Sequence, residues 1–276
     1  MASSKITLVG LLISLGFIIV SFFVFISDSK LLPYDPSLIN TNQILFSPSF
    51  AHVFGTDSLG RDLLSRVLAG APTDAEVAFS VVIIAASLGT LVGSLAGFQG
   101  GIVEEVIMRI TDIFLAFPPI VLALAIAASL GPGIINSILA LTPVWWPTYT
   151  RLARGEALSL KSQDFVRASR SVGQRSRFIL LHHILPNILP IILVYATIDL
   201  GSVIIIFSVL SYIGLGAQPP LPEWGLMSSQ SELYLTSAPW APLYPALAIL
   251  LVAIGFSLLG DGLRDALDPR IRGMFS

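Results

Sequence analysis

The sequence predicts an all-α integral membrane protein with about six transmembrane helices. Composition is the first reason: 54% of its 276 residues are hydrophobic and 12% are charged, against about 25% charged in soluble domains. With a mean hydropathy of +0.85, the chain has too few charges to coat a soluble surface. Uncharged runs of bilayer-crossing length are the second reason, since a hydrocarbon core takes about 20 apolar residues. The third is an uneven distribution of basic residues between alternate loops. An outer-membrane barrel is set aside, because it would show segments of about ten residues alternating in polarity.

The first element is residues 6–26, which carry no charge between Lys5 and Asp28. This block exceeds the apolar core of about 7–15 residues in a secretory signal, and the residues after it make a poor cleavage site, so a retained helix is expected. Residues 28–75 are polar and contain Pro33, Pro36 and Pro48. The second span is expected over 77–98, ended by Gly97, Gly100 and Gly101. Residues 113–150 hold no charge, a run of 38, which at about 1.5 Å per residue is long enough to cross twice. Gly131, Pro132 and Gly133 divide it into a third and a fourth span, with Pro118 and Pro119 kinking or starting the third. The fifth is expected from Pro186 to Tyr212, in a stretch long enough to hide a re-entrant piece, and the sixth over 243–260.

Orientation follows from the cations. Arg151, Arg154, Lys161, Arg167, Arg170, Arg175 and Arg177 lie between the fourth and fifth spans. With Lys5, Arg109, Arg264, Arg270 and Arg272 they place twelve of the fifteen basic residues on one side, and leave Lys30, Arg61 and Arg66 on the other. Basic loops stay in the cytoplasm, so both termini are expected there. The chain divides accordingly into a first transmembrane helix (1–30), an extracytoplasmic segment (31–75) and a core (76–276), the last with a cytoplasmic segment at 155–182 and a short tail.

Intrinsic catalysis finds little support. There are no cysteines and only three histidines, His52, His182 and His183. Adjacent histidines on a helix point about 100° apart and cannot both face one metal. None of the three lysines follows a glycine, which excludes a phosphate-cradling G-x-x-x-x-G-K-[ST] loop. No cofactor is expected. A net charge of −2 gives no basic field for nucleic acid.

The most informative stretch is 164–178. Phe165, Ala168 and Val172 recur at helical spacing with Ser169 beside them, Arg167, Arg170, Arg175 and Arg177 occupy the other faces, and Asp164 suits an N-cap. Such a basic amphipathic helix can lie on anionic lipid or dock on another protein. Gly173 inside it costs about 0.5–1 kcal/mol relative to alanine, which points to a close neighbour or a sharp bend.

Phe165, Val166, Ala168, Ser169 and Gly173, followed by Ile184, Leu185 and Pro186, resemble the "EAA" motif of ABC importer permeases. Arg167 in place of the first acidic residue resembles the dipeptide, oligopeptide and nickel subfamily. The stretches 54–62 (Phe-Gly-Thr-Asp-Ser-Leu-Gly-Arg-Asp), 210–216 (Leu-Ser-Tyr-Ile-Gly-Leu-Gly) and 260–270 are similar to it too, most of all to its C-type permease. The resemblance covers about residues 52–273. It implies a type I importer (MetI-like) architecture in which 164–178 is the coupling helix, with Phe165, Arg167, Ala168, Ser169, Val172 and Gly173 meeting an ATPase. It further implies a second homologous permease, two cytoplasmic ATPase subunits, an extracytoplasmic solute-binding protein, and peptides as the default solute. Nickel chelates and oligosaccharides are the other cargoes of the subfamily.

Asp199 lies 13 residues past Pro186, about 20 Å along a helix and near mid-membrane. A carboxylate there lines a water-filled path, meets a partner, or makes a structural hydrogen bond. The subfamily carries a carboxylate shortly before the 210–216 stretch, where this chain has Phe207. Residues 217–242, with Trp224 and Trp240, either meet the binding protein or anchor at the interface. Asp261, Arg264, Asp265, Asp268 and Arg270 form a mixed-charge cluster that is structural or touches the ATPase. The alternative from another class is a secondary carrier or channel, which would show repeated halves and several intramembrane ionisable groups; the sequence offers Asp199.

Overall fold

The computed structural model describes residues 2–27 and 30–267, and the described residues contain helices and no strand. Helix α1 (Ala2–Ser27) is followed by the irregular segment 30–62, then α2 (Leu63–Gln99), α3 (Gly101–Leu115), α4 (Pro119–Leu130) and α5 (Ile134–Lys161). Two short helices come next, α6 (Asp164–Ser171) and α7 (Ser176–Ile179). A π-helical turn (Leu180–Ile184) then leads into α8 (Leu185–Tyr212), and α9 (Trp224–Gln230) and α10 (Trp240–Leu267) close the chain.

Among the described residues, four helical stretches are long and apolar enough to cross a bilayer: 5–27, 63–99, 176–212 and 240–267. Helices α3 and α4, bent by 87° at their break, pass only as a pair, as one broken span or a re-entrant loop, which gives four or five. The expected count of about six differs by α5, which is 28 residues long but carries Arg151, Arg154, Glu156 and Lys161. Its inner face is covered by α2, so much of it needs no match to lipid. The second span begins at Leu63, not at residue 77, and runs through Pro72; neighbouring helices make such prolines tolerable in membrane proteins. The boundary expected at 75/76 therefore falls inside a helix. In the stretch long enough to hide a re-entrant piece, α8 is continuous to Tyr212, and the short buried helix that follows is α9.

Helix α2 is the central post. It packs along α5 most extensively, then α8, α1 and α3, while α10 links α8 to α1. The α2–α5 contact is backbone against backbone. A Cβ built at Gly89 would lie 2.5 Å from the Trp146 carbonyl oxygen, one at Gly97 2.5 Å from that of Arg154, and one at Gly93 closer still to that of Thr150. Both triplets step by four residues, so small residues form a groove on one helix for a ridge on the other.

Segment 30–62 has little regular structure and is held by buried polar groups. The Asp62 carboxylate caps α2, accepting from the Ser65 backbone N–H at 2.8 Å and its hydroxyl at 2.7 Å, and its other oxygen meets His52 Nδ1 at 2.8 Å. Asp57 accepts from Arg61 Nε at 2.7 Å, and Arg66 Nη1 donates to the Pro36 carbonyl at 2.9 Å. The 54–62 motif thus works by local pairing that fixes the start of α2.

Candidate functional site

The stretch 164–178, expected as one helix, is broken in the structure. Helix α6 stops at Ser171, because Gly173 takes φ +77°. The Gly173 N–H donates to Arg170 O at 2.9 Å and that of Gln174 to Ser169 O at 3.2 Å, closing the end in the manner of a left-handed cap. A Cβ at Gly173 would meet nothing within 4 Å. The bend, not a close neighbour within this chain, therefore accounts for the glycine. Gln163 occupies the N-cap position expected for Asp164, which becomes the first helical residue.

Val166 is fully buried and pins α6 to the body of the protein. Phe165 is 41% exposed, Val172 is 76% exposed, and Ala168 and Arg167 are exposed as well. Ser169 is half-buried, with its hydroxyl donating to Phe165 O at 2.9 Å. The structure thus brings Phe165, Arg167, Ala168 and Ser169 onto one short helix with Val172 at its C-cap and Gly173 just beyond, and leaves Ala168 and Val172 exposed while the Phe165 ring meets His183. Phe178 stacks on His182 with ring centroids 4.2 Å apart, and His183 meets the edges of Phe165 and Phe178. This aromatic cluster ties α6 and α7 to the π-turn at the foot of α8.

Asp199 is not brought near that surface. It is half-buried in α8 and accepts a hydrogen bond from the Tyr149 hydroxyl of α5 at 2.7 Å, Tyr149 itself being fully buried. Nor is it the sole acid within a spanning helix. Asp74, placed outside the membrane by the expected start at residue 77, is fully buried in α2 beside an equally buried Glu223. Glu223 caps α9, accepting from Gly225 N–H at 2.9 Å and Leu226 N–H at 2.7 Å. Trp224 is 3% exposed and donates from Nε1 to Val67 O at 2.8 Å, so it is a core residue and not an interfacial anchor. Pro72, two residues before Asp74, obscured this arrangement in the sequence. Asp261, Arg264 and Asp265 are exposed near the end of α10, whereas Asp268 and Arg270 lie outside the described residues.

Burial lifts the Glu223 carboxyl above the usual glutamate range. Stability from its neutral form is complete below the unfolded pKa of about 4.3 and is lost as pH rises through the higher folded value. The thermal-stability advantage of wild type over Glu223→Gln should therefore shrink as pH rises above the unfolded value of about 4.3. A difference independent of pH in detergent-solubilised protein would show the carboxyl to be ionised throughout.

Residues 89–273 match the family described as binding-protein-dependent transport system inner membrane component. The chain is 42% identical over 270 residues to the dipeptide transport system permease protein DppC of Alkalihalophilus pseudofirmus, covering 98% of this chain and 87% of that protein. It is 45% identical over 240 residues to the probable D,D-dipeptide transport system permease protein DdpC of Escherichia coli K12, covering 87% and 80%. The glutathione transport system permease protein GsiD of an E. coli strain is 46% identical over 258 residues, covering 93% and 85%. Among solved structures, the inward-facing MetNI methionine ABC transporter superposes with a TM-score of 0.62 at 19% identity, over 75% of this chain and 98% of that one. The fold is therefore the MetI type, and the multi-pass architecture in the inner membrane is that of its relatives. With apolar spans, a matching fold and relatives similar over nearly their whole length, this chain belongs to the inner-membrane components of binding-protein-dependent transport systems, as a permease subunit.

Proposed function

We propose that this permease forms half of the translocation pathway of an ATP-driven importer for small peptides, and that α6 receives a cytoplasmic ATPase. The exposed Phe165 and Ala168 of α6 and Val172 at its C-cap, on the side opposite the buried Val166, carry this reading. Arg167 and Ser169 flank that face, and the Gly173 turn sets its angle. ATP binding draws two ATPases together, and their motion passes through α6, α7 and the π-turn into α8. A second homologous permease completes the pathway, and an extracytoplasmic solute-binding protein delivers the cargo. The dipeptide, D,D-dipeptide and glutathione relatives favour a small peptide over an oligosaccharide or a nickel chelate. Family membership favours this role over a secondary carrier or channel. Both termini are assigned to the cytoplasm, with α1 as the first membrane helix, an extracytoplasmic segment that ends where α2 begins at Leu63, and 155–182 as the coupling segment of the core.

The chain contains no cysteine, so Val172→Cys supplies a single thiol. A membrane-impermeant maleimide should label it in inverted vesicles stripped of ATPase and not in intact spheroplasts, and restored ATPase should protect it. Labelling in spheroplasts would reverse the orientation; absence of protection would remove the docking role.

Asp199 is assigned to the pathway or to the interface between the two permeases. Asp199→Asn keeps an acceptor for Tyr149, and is expected to preserve membrane abundance while lowering uptake. Asp199→Leu strands a buried hydroxyl at a cost of about 1–3 kcal/mol and should reduce both. Uptake equal to wild type in both variants would confine Asp199 to a structural bond.

A further inference from the structure

Behind α6 lies a cleft of about 810 Å³, walled by the ends of α2 and α5, by α6 and α7, and by the start of the π-turn. Lys161, Arg170 and Arg177 line it together with Leu95, Phe98 and Leu180, and no carboxylate does. Among the described residues none of the three cations forms an ion pair. The Arg170 guanidinium carbon sits 5.3 Å from the centroid of the Phe98 ring, which orients its fork without neutralising it.

Helical geometry separates this cleft from the proposed ATPase face. Arg170 lies four residues from the buried Val166 and shares its side of α6, whereas Phe165, Ala168 and Val172 lie on the opposite side. The position also indicates the ligand. Leu88 and Leu91 of α2 are 46% and 55% exposed, and with Leu95 they step by three or four residues from the cleft along a spanning helix. Three unpaired cations thus sit at the end of an open leucine track. A free phosphate would use the cations alone, whereas a phospholipid would use both.

We propose that this cleft binds the phosphate headgroup of an anionic phospholipid, with an acyl chain lying along Leu88, Leu91 and Leu95. Arginine forks match phosphate oxygens bidentately, and basic pockets at the ends of membrane helices suit such headgroups. The lipid would brace α6 from behind while leaving its outer face free.

The test uses the full-length permease with whatever subunits co-purify, in nanodiscs of phosphatidylethanolamine and phosphatidylglycerol, with retained lipid read by native mass spectrometry. Wild type should retain phosphatidylglycerol over phosphatidylethanolamine by about tenfold or more. Lys161→Gln/Arg170→Gln/Arg177→Gln should bring that ratio near one, and Lys161→Arg/Arg170→Lys/Arg177→Lys should keep most of it. Three equivalent charges removed elsewhere, as Lys5→Gln/Arg175→Gln/Arg264→Gln, should leave it unchanged. Undiminished retention in the cleft variant, equal loss in the control variant, or complete displacement of the lipid by millimolar inorganic phosphate would each overturn the proposal. Lipid retention is read whether or not an ATPase binds, so its failure is distinct from failure of the docking role.

Discussion

Replacing Gly93 by leucine is expected to leave almost no correctly assembled permease in the membrane. At this position α2 and α5 touch through backbone, with the Thr150 carbonyl where a Cβ would stand. Overpacking a well-filled core by single methylenes already costs about 1–3 kcal/mol, and here the obstacle is a helix backbone that cannot rotate aside. Separating the helices would also open the Gly89 and Gly97 contacts, because all three share one face. Against a total stability on the order of 5–15 kcal/mol, the loss should appear as a severalfold fall in abundance and a lowered melting temperature. Gly93→Ala should fall between leucine and wild type. Gly16→Ala in α1, where a Cβ would meet nothing within 4 Å, should be neutral or slightly stabilising. Quantitative immunoblotting of membranes with thermal melting would check the series; wild-type behaviour of the leucine variant would disprove the tight α2–α5 contact.

Gly173 should produce the largest effect on coupling, through its φ of +77° and not through crowding. An L-residue in the left-handed region costs about 1–2 kcal/mol, and a β-branched one more. Gly173→Val should therefore let the end of α6 unwind or redirect, disturbing the angle at which Phe165, Ala168 and Val172 are presented. Co-purification of the ATPase should fall about 5- to 30-fold for a cost of that size, and ATP-driven uptake should fall with it. Gly173→Asn should be mild, since asparagine is the next most frequent residue at such caps. Gly173→Ala should lie between, because its gain in helix propensity is of no use at a residue that is not helical. Membrane abundance should hold in all three, since the turn lies outside the spanning helices. Equal co-purification for the asparagine and valine variants would show that the turn's conformation is irrelevant to docking.

The chain's class, most of its helices and its family were legible in the sequence because they rest on local chemistry. Residues 6–26 and 243–260 contain α1 and α10 without their outer turns, and Pro186 to Tyr212 gives α8 within one residue of its start. Uncharged length alone identifies such segments in any chain that must satisfy its backbone inside lipid. The positions of Phe165, Ala168 and Val172 were equally legible, since helical spacing is a property of adjacent turns.

Four features were decided by the tertiary structure. Helix α2 extends back to Leu63 through Pro72 and the buried Asp74, because α8, α9 and α10 supply the surroundings that a polar, proline-containing helix would lack alone. Helix α5 carries charges that a solitary span could not bear, since α2 shields one side of it and ion pairs such as Arg151 with Asp112 occupy another. Helix α6 ends at Ser171, a backbone choice that glycine permits but does not dictate. Tyr149 and Asp199 meet across fifty residues, and no local pattern encodes such a pair. Hydropathy and periodicity are sums over neighbours in sequence, so they specify which segments are helical and which faces are apolar. Which face meets which helix, and which buried acid finds a partner, depends on contacts between segments far apart in the chain.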